Sequence, residues 1–120
     1  MPGDTVRFVS LLFTTEAERA PEWQPATDVY RTPDGWLVKF ELAGVRPEDV
    51  ELSVRGRTLR VRGRRRDCCL EPECRLVHME IAYSRFERSL ELSGVSETAR
   101  IEAAQREGML LVRIVTEGAP

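Results

Sequence analysis

Between Thr27 and Val115 the chain switches between apolar and polar residues one by one, in short stretches separated by turn residues. Trp36, Val38, Phe40 and Leu42 are apolar, while Lys39 and Glu41 lie between them. A period of two is the mark of a strand with one buried face. Val50 to Val54 and Leu59 to Arg62 repeat it, and Phe86, Arg88, Leu90 and Leu92 fall on one side of a further strand. Asp28 to Arg31 is a short extended run, Ile101 and Ala103 carry another strand, and Met109 to Val115 is apolar almost throughout. Thr32-Pro33-Asp34-Gly35, Gly56, Gly63 and Gly108 punctuate these stretches with turn chemistry. Pro47-Glu48-Asp49 predicts one helical turn, since Pro and acids favour a helix start. Residues 64–75 form a long charged loop, and weak periodicity from Arg75 to Tyr83 predicts a short strand within the same connection. About eight short strands without an internal helix predict an all-β, immunoglobulin-like β-sandwich.

The organisation expected is a short N-terminal arm over 1–26, the sandwich over 27–115 and a tail over 116–120. The arm clusters Val6, Phe8, Val9, Leu11, Leu12 and Phe13 ahead of a Pro-punctuated polar stretch. Its apolar run is about six residues, against the roughly 20 that a membrane span requires, and no small-residue cleavage site follows it. Three cysteines make no disulfide framework. These features predict a cytoplasmic chain that engages no membrane. A net charge of -2 disfavours a polyanion as the main partner.

Several blocks, in order, resemble one known family. Trp23 to Tyr30, Glu41-Leu42-Ala43-Gly44-Val45 and Pro47 to Val50 look like the opening of an α-crystallin domain. Leu59-Arg60-Val61-Arg62-Gly63 resembles its next strand, and Phe86-Glu87-Arg88 through Leu92 its Phe-x-Arg strand. Ile101-Glu102-Ala103 and Glu107-Gly108-Met109-Leu110 resemble the closing Gly-x-Leu region. The chain is therefore similar to small heat-shock proteins from about Trp23 to Ile114. Ala43 and Ser93 stand where the family commonly has proline. The family's C-terminal Ile-x-Ile/Val docking motif has no counterpart, because Ile114-Val115-Thr116 fits the last strand instead.

The resemblance implies an ATP-independent holdase that binds unfolding proteins and prevents their aggregation. The sequence agrees, in that it carries no Gly-x4-Gly-Lys-Ser/Thr loop or other nucleotide fingerprint. The implied client groove lies between the Val50–Val54 and Ile101–Ala103 strands, lined by Val50, Leu52, Val54, Ile101 and Ala103; a plain core role is the alternative for these side chains. Phe8, Leu12 and Phe13 of the arm are the second candidate client contact. By the same resemblance, the loop after Gly63 exchanges a strand with a second copy through Leu76, Val77, Met79 and Ile81. Arg88 pairs with a carboxylate there, giving a homodimer that can build larger oligomers. The rival reading is a co-chaperone or adaptor sandwich with one dedicated protein partner.

The chain carries two further clusters of reactive or charged residues. Cys68, Cys69, Cys74 and His78 are spaced Cys-Cys-x4-Cys-x3-His, which does not match the paired knuckles of zinc sites. No metal and no cofactor are expected, and the thiols read as reduced loop residues. Arg55, Arg57, Arg60, Arg62, Arg64, Arg65 and Arg66 form a basic run, but Arg60 and Arg62 alternate with Leu59 and Val61 as the outer face of a strand. Nucleic acid is not an expected partner. With one histidine and no serine–histidine–acid arrangement, no enzymatic activity is expected.

Overall fold

The computed structural model describes residues 23–67 and 71–116. Among these, seven strands form two antiparallel sheets: β1 (Thr27–Thr32), β2 (Gly35–Glu41), β3 (Val50–Arg55), β4 (Thr58–Arg64), β5 (Arg85–Glu91), β6 (Arg100–Arg106) and β7 (Met109–Val115). One sheet has the order β1-β2-β7-β6 and the other β3-β4-β5. Pro47–Asp49 forms the single 3-10 turn, where Pro and two acids were expected to start one.

The alternation read from the sequence sets which residues meet. Val38 of β2 lies opposite Val112 of β7, and Phe40 opposite Leu110. In the smaller sheet Val61 sits between Leu52 and Arg88, and Leu59 between Val54 and Leu90. Val38, Phe40, Leu59, Val61, Val112 and Ile114 are wholly buried between the sheets. They come from β2, β4 and β7, which have a neighbour on each side, whereas the apolar residues of β3 and β6 are only partly buried.

Two crossovers join the sheets, and both use a Leu-x-Gly-Val tetrapeptide in the same way. Leu42-Ala43-Gly44-Val45 leaves β2, and Leu92-Ser93-Gly94-Val95 leaves β5. In each the Val N–H donates to the Leu carbonyl, at 3.1 and 3.3 Å. Gly44 and Gly94 have φ of 78° and 81°, whereas Ala43 and Ser93 are not in the positive-φ region. That combination defines a type II turn, which favours proline at its second position. The Leu and Val of both turns are buried. Ala43 and Ser93 thus occupy the position of each turn at which a proline fits. The Ala43 N–H donates to no described residue, so a proline there loses no hydrogen bond. Ala43→Pro is expected to stabilise the domain by about 0.4–1 kcal/mol, by narrowing the unfolded ensemble. Thermal denaturation checks this, and a lowered melting temperature would rule out the turn assignment.

The structure departs from the sequence reading in the long connection. Residues 71–84 contain no strand, where Arg75 to Tyr83 was read as holding one. A strand needs a ladder of backbone partners, and the backbone bonds of this segment to described residues are only Cys74 N–H to the Glu71 carbonyl and Arg65 N–H to the Ser84 carbonyl.

Candidate functional site

The two sides of the sandwich differ. On one side the edges β1 and β5 are bridged by Trp23, which pairs with Phe86 in an isolated parallel bridge. The Trp23 and Phe86 rings meet edge to face, with centroids 5.3 Å apart and planes at 72°. Above Trp23 lies the Arg65 guanidinium, 3.8 Å from the ring centroid. Its Nε donates to the Ala82 carbonyl at 2.8 Å and one terminal nitrogen to the Ala43 carbonyl at 3.2 Å. One arginine thus ties the root of the arm, the first crossover and the end of the long loop.

The other side is open. Between the edges β3 and β6 runs a cleft of about 480 Å³ lined by Pro47, Val50, Leu52, Ala103, Ala104, Gln105 and Leu110. Of the five groove residues expected from the sequence, Val50, Leu52 and Ala103 line it. Val50, Leu52, Val54 and Ile101 all pack, partly buried, against the core, and Val54 and Ile101 do not line the cleft. Pro47, Ala104, Gln105 and Leu110 were missed. The consecutive small residues Ala103 and Ala104 were the available signal, since they leave the β6 edge without bulk to cover the core. Gln105 closes the cleft toward the crossover, donating from Nε2 to the Val45 carbonyl at 3.1 Å.

The long loop carries the largest exposed apolar side chains of the described chain. Leu76, Val77, Met79 and Ile81 are 67%, 85%, 56% and 56% exposed. On the free edge of β1, Val29 and Tyr30 are also exposed. Arg88 is half-buried on the inward side of β5, and no described residue of the chain forms an ion pair with it. The carboxylate expected for it is therefore not found among the described residues.

The remaining candidates do not converge. Phe8, Leu12, Phe13, Cys68 and Cys69 lie outside the described residues. Cys74 is exposed, and His78 pairs with Glu80 at 2.7 Å. Among the described residues no three His, Cys, Asp or Glu side chains are placed to hold a metal ion, and no helix is long and apolar enough to cross a membrane.

Comparison with known proteins places this architecture. The model of the Hsp20/alpha crystallin family matches residues 28–119. The 18 kDa antigen 2 of Mycobacterium avium is 33% identical over 96 residues, covering 80% of this chain and 67% of the relative. Heat shock protein HSP.16.4 of Streptococcus thermophilus is 30% identical over 90 residues, covering 73% of this chain and 63% of the relative. The chain thus spans about two thirds of the length of these relatives. Among solved structures, heat shock protein 16.0 from Schizosaccharomyces pombe superposes with a TM-score of 0.73 at 26% identity, covering 82% of this chain and 92% of that one. The hspA structure from Xanthomonas axonopodis gives 0.66 at 26% identity, with 82% and 99% covered. With the two-sheet sandwich, the ordered motif blocks and a family match over most of its length, the chain belongs to the Hsp20/alpha crystallin family of small heat-shock proteins.

Proposed function

We propose that the chain is an ATP-independent holdase, acting in the cytoplasm, which binds exposed apolar segments of unfolding proteins and keeps them from one another. The observation that carries this reading is the open cleft between β3 and β6, an apolar trough on an otherwise rigid sandwich. An extended segment entering it covers Val50, Leu52 and Leu110 and meets the unpaired edges of two strands, which is how strand addition gains affinity without a fixed sequence. Burial contributes roughly 25 cal/mol per Å² of apolar area, so a short cleft binds weakly and reversibly, as a holdase requires. Several weak contacts on one assembly add in effective concentration, and the arm residues Phe8, Leu12 and Phe13 supply further ones. No step needs a nucleotide, a metal or a catalytic group.

Assembly follows from the loop. Leu76, Val77, Met79 and Ile81 are exposed on a segment without a strand partner, and β1 of a second copy offers a free edge flanked by Val29 and Tyr30. We infer a homodimer in which each loop adds a strand to the other's β1, with Arg88 meeting a carboxylate at that interface.

Light scattering from two unrelated heat-labile proteins, without ATP, tests the holdase reading. Scattering should fall in proportion to added chain for both. Ala103→Glu places a charge in the cleft at an exposed position. It is expected to weaken suppression several-fold while changing stability by no more than about 0.5 kcal/mol. A folded chain that suppresses neither protein would instead fit an adaptor with one dedicated partner.

A further inference from the structure

The arginines along β4 are neutralised, with one exception. Arg60 reaches Glu87 at 2.8 Å, and Arg62 pairs with Glu51. Just past the strand, Arg66 reaches Asp49 at 3.1 Å. Arg64, on the same outward side as Arg60 and Arg62, instead faces Arg85 directly across the β4–β5 ladder. Neither guanidinium forms an ion pair or hydrogen bond with a described residue. Like charges directly opposite one another on a sheet face are destabilising, and no described carboxylate forms an ion pair with either of these two.

Both side chains line an open cleft of about 590 Å³ on the outer face of the smaller sheet. We propose that Arg64 and Arg85 form a binding site for a compact tetrahedral oxyanion of the phosphate class, free or as a monoester. Two planar guanidinium forks on adjacent strands suit an anion with several oxygens, which each can meet bidentately. The bound anion replaces repulsion with two charge-assisted contacts. The ligand is compact because Glu48, Asp49, Glu51 and Glu87 line the same cleft, beside the paired Arg60 and Arg62. Their carboxylates repel an extended polyanion, which favours a single anionic group at the two unpaired arginines. The two arginines lie on β4 and β5, away from the cleft between β3 and β6, although Val50 lines both openings.

The test titrates the full chain with inorganic phosphate, and separately with O-phosphoserine, against chloride at equal ionic strength. Melting temperature and the NMR signals of the arginine Nε–H groups are both followed. Phosphate at ten times its dissociation constant is expected to raise the melting temperature by roughly 5 °C. The Nε–H signals of Arg64 and Arg85 should shift while that of Arg62 moves little. Arg64→Ser and Arg85→Ser should each abolish the rise. In chloride alone each should melt at or above the parent temperature, because the repulsion is gone. Tighter binding of O-phosphoserine assigns the site to monoesters, and tighter binding of inorganic phosphate assigns it to the free ion; either supports the proposal. An equal response to chloride, or a phosphate response that survives in the double variant, overturns it.

Discussion

Replacing Gly63 with Ala is expected to destabilise the domain by about 3 kcal/mol or more, at the upper end of what overpacking a core costs. A Cβ built at Gly63 would lie 2.0 Å from the Asp49 carbonyl oxygen and 2.8 Å from the Phe86 ring. The ring is a side chain and can turn; the carbonyl belongs to the backbone entering β3, opposite Gly63 in the ladder. Relief therefore requires β3 to move off β4, which disturbs the β3 side of the smaller sheet and with it the cleft between β3 and β6. Against a total stability of typically 5–15 kcal/mol, such a loss lowers the melting temperature by about 10 °C or more. Phe86→Leu added to Gly63→Ala should not rescue it, because the nearer obstacle is main chain. Gly56→Ala provides the contrast: open space surrounds that position, and its φ of 58° is the only obstacle, worth about 1–2 kcal/mol. If Gly63→Ala melts within about 2 °C of the parent, the approach of β3 to β4 described here is wrong.

The family motifs acquire a physical meaning from the same contact. Gly63 ends one block of resemblance, Phe86 opens another and Trp23 begins the first. In the fold these three residues meet, with Gly63 vacating space under the Phe86 ring and Trp23 packing edge-on against it. Gly35 works in a similar way, since a Cβ there would fall 1.8 Å from the Ile114 carbonyl oxygen. The sequence reading took both glycines as turn punctuation: Gly35 does close the two-residue turn opposite Thr32 at the start of β2, whereas Gly63 lies within β4, and both positions are required by the close approach of neighbouring backbone.

What could be read without coordinates was whatever has a short period. The alternation in Trp36 to Leu42 put Trp36, Val38, Phe40 and Leu42 on one face; the last three are buried and Trp36 packs partly buried against them. The sandwich class followed from the number and spacing of such stretches. The site was less legible because a cleft is a relation between strands far apart in the chain. Val50, Val54 and Ile101 each sit in an alternating stretch and each packs partly buried on the core; only the stacking of one sheet on the other decides that Val50 also lines the opening. The clasp of Arg65 on Trp23 was illegible for the same reason: 42 residues separate the two, and an arginine in a basic run carries no local sign that its partner is an indole. The charged row of β4 was correctly read as an outer face, but the register that opposes Arg64 to Arg85 exists only once β4 and β5 are paired.

The second large effect concerns assembly. The double substitution Leu76→Ser with Ile81→Ser is expected to raise the dimer dissociation constant by about a thousandfold or more. Leu76 and Ile81 are 67% and 56% exposed in the single chain. Fully burying such a side chain contributes about 1.5–3 kcal/mol. A strand-exchanged dimer is two-fold symmetric, so each substitution acts twice, and four side chains are lost per dimer. Discounting for the part already covered and for incomplete burial still leaves about 4 kcal/mol, which corresponds to three decades in affinity. The fold of each subunit should survive, because neither residue packs against the core cluster. Sedimentation velocity over a range of concentrations, with thermal denaturation alongside, separates the two effects: the double variant should sediment as a folded monomer where the parent is a dimer. The cleft between β3 and β6 lies on the opposite side of the sandwich from this interface. The folded monomer should therefore still bind a single apolar peptide, yet suppress aggregation less well than the dimer, because it has lost the second site on the same particle. A double variant that remains dimeric at all concentrations would place the interface elsewhere. One that binds no peptide while still folded would separate the cleft from client binding.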